Sequence, residues 1–293
     1  MTTHETTTAA EHITVGAEYT RTGPILVGVD DSPEARAAAI YAAGLADSVG
    51  RTLLLAHAHS KPYGSMDLAG QGMTAQLEAA ARELVDGLAA DVRQLCSVPI
   101  ETVIAAGKPA PVLGELAGSA SMLVVGQDTA TLFDRMTFGS VAAHLVATAP
   151  CPLVVVPASW DRSPLSHHPV VVLSGDPVIP ETLTVAIAEA KHVATSVLVV
   201  GTVRHAAPSA EVQQHQRDLS ALVLAAQEAN PEVTFETRIV RGHPGEELVQ
   251  LSADAAAVVV GGSHRHGQTA WIGSVAQAVA KRTHCPLIIV PAE

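Results

Sequence analysis

Pro150-Cys151-Pro152-Leu153-Val154-Val155-Val156-Pro157 returns as His284-Cys285-Pro286-Leu287-Ile288-Ile289-Val290-Pro291, 134 residues further along the chain. Working outward, Gly139-Ser140-Val141-Ala142 returns as Gly273-Ser274-Val275-Ala276 at the same offset of 134, and Gly107-Lys108-Pro109 as Gly242-His243-Pro244 at 135. Nearer the start of each half, Ile25-Leu26-Val27-Gly28-Val29-Asp30 matches Val170-Val171-Val172-Leu173-Ser174 loosely at 144. A colinear series of anchors whose offsets drift by about ten residues is the mark of a duplication with small insertions. Chance likeness between apolar strands would give one match, not an ordered set.

Each half alternates short apolar runs with helical patterns. In the first half the runs Ile25–Asp30, Thr52–Ala58, Ile100–Ala105, Met122–Gly126 and Leu153–Val156 are continuous rather than alternating, as in strands covered on both faces. Between them, Ala37, Ile40, Tyr41, Gly44 and Leu45 recur at helical spacing, as do Leu77, Ala81, Leu84, Leu88, Val92 and Leu95. Ser32-Pro33-Glu34 supplies a cap, a first-turn proline and a first-turn acid, so a helix should begin there. In the second half Pro180-Glu181 opens a helix and Asn230-Pro231 closes another. The pattern predicts an α/β fold of two tandem domains, each with a five-stranded parallel sheet wrapped by helices on both faces. The expected organisation is a polar tail over 1–22, domains over 23–157 and 169–293, and a linker over 158–168.

Composition narrows the function. The 293 residues carry 17 Lys+Arg against 29 Asp+Glu, a net charge of −12, and 48% of them are hydrophobic. So apolar a chain can bury a core, which excludes disorder as the main state. The acidic balance argues against nucleic acid as a partner. The apolar runs fall short of the ~18 residues of a membrane span, and residues 1–22 lack the basic start and apolar stretch of a secretory signal. Three cysteines without a CxxC fit a reducing compartment. A cytoplasmic protein is the expectation.

In an open parallel sheet, ligands bind beyond the carboxyl ends of the strands, where strand order reverses. The candidates are therefore the residues at and just past the strand ends: Gly28, Val29 and Asp30 at the tip of the first, Ala56 near the end of the second, and Val125 and Gly126 at the end of the fourth. His57, Gly107 and the run Gln127–Ser140 are also in reach. A glycine there lets backbone approach a ligand, and the Gly139-Ser140-Val141 helix start offers free N–H groups and a hydroxyl to an anion. Asp30 could accept from a ribose or an adenine amine. The structural alternative is that Asp30 joins the helix cap and the glycines mark tight strand-to-helix turns.

Val27-Gly28-Val29-Asp30-Asp31-Ser32-Pro33-Glu34, the Val-Val-Gly ending at Gly126, Gly139-Ser140-Val141 and the Cys-Pro-Leu-Val-Val-Val ending together resemble a universal stress protein domain. The second half carries the set in weaker form, so the whole chain resembles the tandem type of that family. The resemblance implies strand order 3-2-1-4-5 in each domain. It also implies antiparallel pairing of the two fifth strands about a pseudo-twofold axis, here within one chain. Many members bind ATP through a G-x2-G-x9-G-S/T loop, and others lack the motif and do not.

The loop departs from that pattern twice. Gly126 and Gly139-Ser140 keep the 13-residue spacing, but Thr129 replaces the middle glycine, and Asp128 and Asp134 sit in the loop. A β-branched residue disfavours positive φ, and carboxylates repel a triphosphate unless a cation such as Mg²⁺ intervenes. In the second half Gly261-Gly262-Ser263-His264-Arg265-His266-Gly267 suits phosphate. Yet Gly261 and Gly273 are 12 apart, and Ser174 stands in place of the strand-one aspartate. With Gly273, Ser274 and Val275, these complete the candidate nucleotide residues.

The 14 histidines invite a metal reading, but no local spacing among pairs such as His57-x-His59 supplies three ligands, so no tightly bound metal is expected. Cys151 and Cys285 occupy matching positions; pairing of the last strands could bring the thiols together, and buried free thiols are the other reading. No G-x-S-x-G elbow or Walker A loop is present. Three functions are thus expected in order. The first is an adenine-nucleotide-responsive regulator, binding ATP with Mg²⁺ in at least one domain and acting on an unidentified protein partner. The second is a ligand-free interaction scaffold with degenerate loops. The third is a slow ATP-hydrolysing or phosphotransferring enzyme. The chain is expected to be pseudo-dimeric, with further homodimerisation left open.

Overall fold

The computed structural model describes residues 21–59, 68–127, 140–161, 168–174, 180–262 and 274–291. The first half runs β1 (Ile25–Gly28), α1 (Pro33–Ser48), β2 (Leu53–His59), α2 (Leu68–Val92), β3 (Ile100–Ala106), α3 (Pro109–Leu116), β4 (Met122–Gly126), α4 (Ser140–Thr148) and β5 (Leu153–Val156). The second repeats it as β6 (Val170–Ser174), α5 (Pro180–His192), β7 (Val197–Val203), α6 (Ser209–Ala229), β8 (Phe235–Arg241), α7 (Pro244–Leu251), β9 (Ala257–Gly261), α8 (Ser274–Arg282) and β10 (Leu287–Val290). Local chemistry sets many of the boundaries. Ser32 caps α1, its Oγ accepting the Ala35 N–H at 3.1 Å, with Pro33 and Glu34 in the first turn. Pro109 and Pro244 open α3 and α7, where a missing N–H costs nothing. β1 stops at Gly28, two residues short of the expected Asp30, because Asp30 turns to serve the α1 cap.

The strands form one ten-stranded sheet in the order β3-β2-β1-β4-β5-β10-β9-β6-β7-β8. Within each half the pairs are parallel and the order is 3-2-1-4-5. The halves join where β5 meets β10 antiparallel, with Val154 opposite Ile288, so a pseudo-twofold axis passes between these strands. Both are wholly buried, as their unbroken apolar runs require. The outermost strands differ. Glu101 and Thr102 in β3 and alternate residues in β8 are exposed, because an edge strand has only one paired neighbour and incomplete helix cover.

Period-two alternation divides the core. Leu53 and Leu55 of β2 face α1 and α2, while Leu54 and Ala56 face α3 and α4. On the first side a single apolar cluster runs through both halves, from Val85 of α2 to Leu222 of α6. On the other side each half has its own cluster. Leu77 departs from its expected place in the buried stripe of α2. It is exposed, and the first buried side chain among those described in α2 is Ala81. Past β5, Trp160 of the expected linker packs edge-on against Tyr41 of α1, centroids 5.5 Å apart.

The repeated thiols do not meet. The register Leu153↔Ile289 and Leu287↔Val155 sets Cys151 level with Pro291 and Cys285 level with Pro157. That leaves them six residues apart along the strand direction, roughly 20 Å. Both are buried and free, and burial pushes their thiols up to about 11 and about 12.

Candidate functional site

In the first half, strand order reverses between β1 and β4, so the crevice opens at their carboxyl ends. Val27 lies beside Val124, which brings Val29 level with Gly126. The Val29 N–H donates to the Ala56 carbonyl at 2.9 Å, and the Val29 carbonyl lies 2.8 Å from His57 Nδ1. Gly28, Val29, Asp30, Ala56, Val125 and Gly126 thus share one edge of the sheet. Among the described residues, this is the part of the expected site that the fold assembles.

Asp30 is exposed there, and its Oδ1 accepts both the Ser32 N–H at 3.0 Å and the Ser32 hydroxyl. Asp30 therefore orders Ser32, which in turn caps α1. The helix-cap role is real. It uses one carboxylate oxygen, and Oδ2 has no partner among the described residues.

The two glycines have packing causes of their own. A Cβ at Gly126 would lie 2.5 Å from the carbonyl carbon of Glu34 and 2.7 Å from its Cβ, so the first turn of α1 crosses β4 where only hydrogen fits. At Gly28 a Cβ would meet Leu113 Cδ1 of α3 at 2.6 Å. Gly28 and Gly126 thus let helices close onto the sheet, a requirement separate from any approach of a ligand.

Gln127, directly after Gly126, opens the run to Ser140 that lies past the fourth strand, but its partners carry no signal in the sequence. Its N–H donates to the Val156 carbonyl at 2.8 Å, continuing the β4–β5 ladder. Its Nε2 donates to the Ala280 carbonyl at 2.7 Å, in the last turn of α8 and 153 residues away. The first residue of the candidate phosphate loop is thereby tied to the other domain.

The second half corrects one equivalence. The Pro24 carbonyl accepts from Ser121 as the Pro169 carbonyl accepts from Ala256, and the Thr52 carbonyl accepts from Ile25 as the Ser196 carbonyl accepts from Val170. The offset is therefore 145, and Ser174 corresponds to Val29 rather than to Asp30. The counterpart of Asp30 is Gly175, outside the described residues. The apolar runs alone could be slid by one residue without penalty, whereas the ladder could not. Gly261 ends β9 level with Ser174, and the Gly262 N–H reaches the Val290 carbonyl at 2.6 Å. Helices α4 and α8 begin at Ser140 and Ser274, with Val141 and Val275 half-buried in their first turns. Thr129, Gly139 and Gly273 lie outside the described residues.

Among the described residues no group of three or more His, Cys, Asp or Glu side chains is placed to hold a metal, and no helix is long and apolar enough to cross a membrane.

A family model described as the universal stress protein family matches residues 22–157 and again 168–291. The chain belongs to the universal stress protein family. A universal stress protein of Mycobacterium tuberculosis is 31% identical over 295 residues, spanning 90% of this chain and 96% of that relative, so the likeness takes in both domains. A universal stress protein of Archaeoglobus fulgidus, at 16% identity, matches with a TM-score of 0.70 over 92% of this chain and 98% of that one, and so shares the tandem fold. A universal stress protein family protein of Arabidopsis thaliana, solved with AMP bound, covers 46% of this chain at 21% identity and a TM-score of 0.34.

Proposed function

We propose that this universal stress protein is an adenine-nucleotide-responsive regulator whose first domain holds ATP, with Mg²⁺ between the phosphates and the loop carboxylates. The observation that carries the reading is the exposed Asp30 carboxylate at the switch between β1 and β4, one oxygen ordered by Ser32 and the other unengaged among the described residues. Asp30 would take the nucleoside. Gly126, Gly139, Ser140 and the Val141 amide would take the phosphates, in keeping with anion binding at a helix start. With both domains in one sheet and Gln127 bridging to α8, binding energy would go into the relation of the domains and hence into a protein partner. The second domain, with Ser174, Gly261, Gly262, Gly273, Ser274 and Val275, is the lesser candidate because Gly175 leaves no carboxylate at the matching position. The buried free thiols suit a cytoplasmic setting.

The test is nucleotide analysis of protein purified from cells, followed by calorimetry with ATP and Mg²⁺. Asp30→Asn keeps an acceptor for Ser32 while removing the charge, so it should weaken ATP about tenfold with little change in melting temperature. Gly139→Val should abolish binding. No co-purified nucleotide and no heat at millimolar ATP would leave the second reading, a ligand-free scaffold. That alternative draws on the packing causes of Gly28 and Gly126. Sustained turnover above an Asp30→Ala control would instead favour a slow ATP-hydrolysing or phosphotransferring enzyme.

A further inference from the structure

A cleft of about 510 Å³ lies between the domains, on the far side of the first domain from Asp30. Its first wall is the C-terminal end of α1 (Leu45, Val49), with Arg51 before β2 and Met122 at the start of β4, which is the amino edge of that sheet. Its second wall is α5, from Thr184 to His192. The volume falls within the ~300–1,000 Å³ of small-molecule sites, and domain junctions are where such sites concentrate.

The lining mixes apolar side chains (Leu45, Val49, Val185, Ala188) with polar ones, and one charge in it is uncompensated. Val49 is 47% exposed, one of few large apolar side chains left so open among the described residues, and it lines this cleft. Lys191 is neutralised, its Nζ lying 2.7 Å from Glu232 Oε1 and donating to Asn230 Oδ1 at 2.8 Å. Glu189 is buried with its Oε1 accepting from the Tyr41 hydroxyl at 2.8 Å, and burial holds its carboxyl above the ordinary range. Arg51 differs. Only its Nη1 is engaged, by the neutral carbonyls of Arg21 and Gly23, and it has no carboxylate partner among the described residues. Half-buried in a protein of net charge −12, an unpaired guanidinium is a poor structural choice. His192 Nδ1, from another residue lining the cleft, is buried with no hydrogen-bond partner among the described residues. Arg51 still has hydrogens to donate, and His192 can donate as well.

We propose that this cleft is a second ligand site, for a small amphipathic carboxylate whose apolar body lies between α1 and α5 and whose anionic head faces Arg51. A ligand here would touch both domains at once, so its binding would report on, or set, their relation. The site shares no residue with the candidate nucleotide site and stands whether or not ATP binds.

Fluorescence titration of the full chain with anilinonaphthalene sulfonate, an apolar anion, tests it. One saturable site is expected, displaced by decanoate about tenfold more tightly than by decanol, as one charge-assisted contact implies. Arg51→Gln should remove that preference while leaving decanol unchanged. Ala188 lies exposed on the cleft wall, so Ala188→Trp should fill the space and abolish probe binding without disturbing the core. Should Arg51→Gln unfold through its lost carbonyl contacts, the decanoate–decanol comparison and Ala188→Trp still decide. Absence of a saturable site, equal displacement by acid and alcohol, or undiminished binding in Ala188→Trp would each overturn the proposal. An unaltered ATP isotherm in Ala188→Trp would show the two sites to be separate.

Discussion

The Tyr41 hydroxyl of α1 donates to Glu189 Oε1 of α5 at 2.8 Å, joining residues 148 apart across the domain junction. Both side chains are buried, at 5% and 3% exposure, within the one apolar cluster that the two halves share. Burial raises both pKa values, and Trp160, past β5, covers the Tyr41 ring edge-on. A polar pair inside an apolar junction adds little net attraction, but breaking it on one side is costly. Its effect is to fix how the domains sit.

Glu189 makes stability depend on pH in a stated direction. Its folded pKa is raised by burial, so the folded chain keeps the proton to higher pH than the unfolded chain does. Native stability then falls as pH rises from the ordinary carboxylate range through the folded value, and this contribution is level above it. Glu189→Gln keeps an acceptor for Tyr41 and removes the titration. Melting temperatures measured from acid to neutral pH should shift progressively in favour of the variant; a difference independent of pH would refute the assignment.

Tyr41→Phe should destabilise the chain by about 1–3 kcal/mol, since Glu189 loses its donor while staying buried. The ring contact with Trp160 survives, so the loss measures the hydroxyl. Adding Glu189→Leu should recover part of it, and urea unfolding of the four chains of the double-mutant cycle would show a coupling. Strict additivity would mean that the two side chains act separately.

Gly126→Ala and Gly28→Ala should differ. At Gly126 the obstacle is the Glu34 backbone, which cannot yield without moving α1, so a loss of about 1–3 kcal/mol is expected. At Gly28 the nearest atom is a Leu113 methyl that can change rotamer, and the loss should be smaller. Denaturant midpoints for the two variants make the comparison, and an equal or reversed order would show that α1 gives way more readily than Leu113.

Thiol titration at mildly alkaline pH should find Cys96 first, for it is half-buried. Cys151 and Cys285, held at about 11 and about 12, should react only after unfolding. Mild oxidation of the native chain should yield no Cys151–Cys285 disulfide. Its appearance under native conditions would contradict the β5–β10 register.

Much of this architecture is legible in the amino-acid sequence. The repeated Cys-Pro-apolar endings marked two units, the apolar runs marked the central strands, and Ser32-Pro33-Glu34 marked the start of α1. Those signals are local, because a cap, a proline or a buried strand acts over a few residues of chain. The candidate edge was legible as well, since parallel topology carries Asp30 and Gly126 to the same end of the sheet. What local pattern could not contain was the pairing register. A slide of one residue along equivalent valines changes nothing in composition, yet it moved the counterpart of Asp30 from Ser174 to Gly175. The same limit hid why Gly126 must be glycine, where Gln127 reaches, why Cys151 and Cys285 stay apart, and which tyrosine Glu189 needs. Each of these depends on atoms brought together by strand pairing across some 90 to 150 residues of chain. The amino-acid order alone set the two folding units and their secondary structure; only the assembled sheet, by bringing remote backbone and side chains within contact distance, decided their partners.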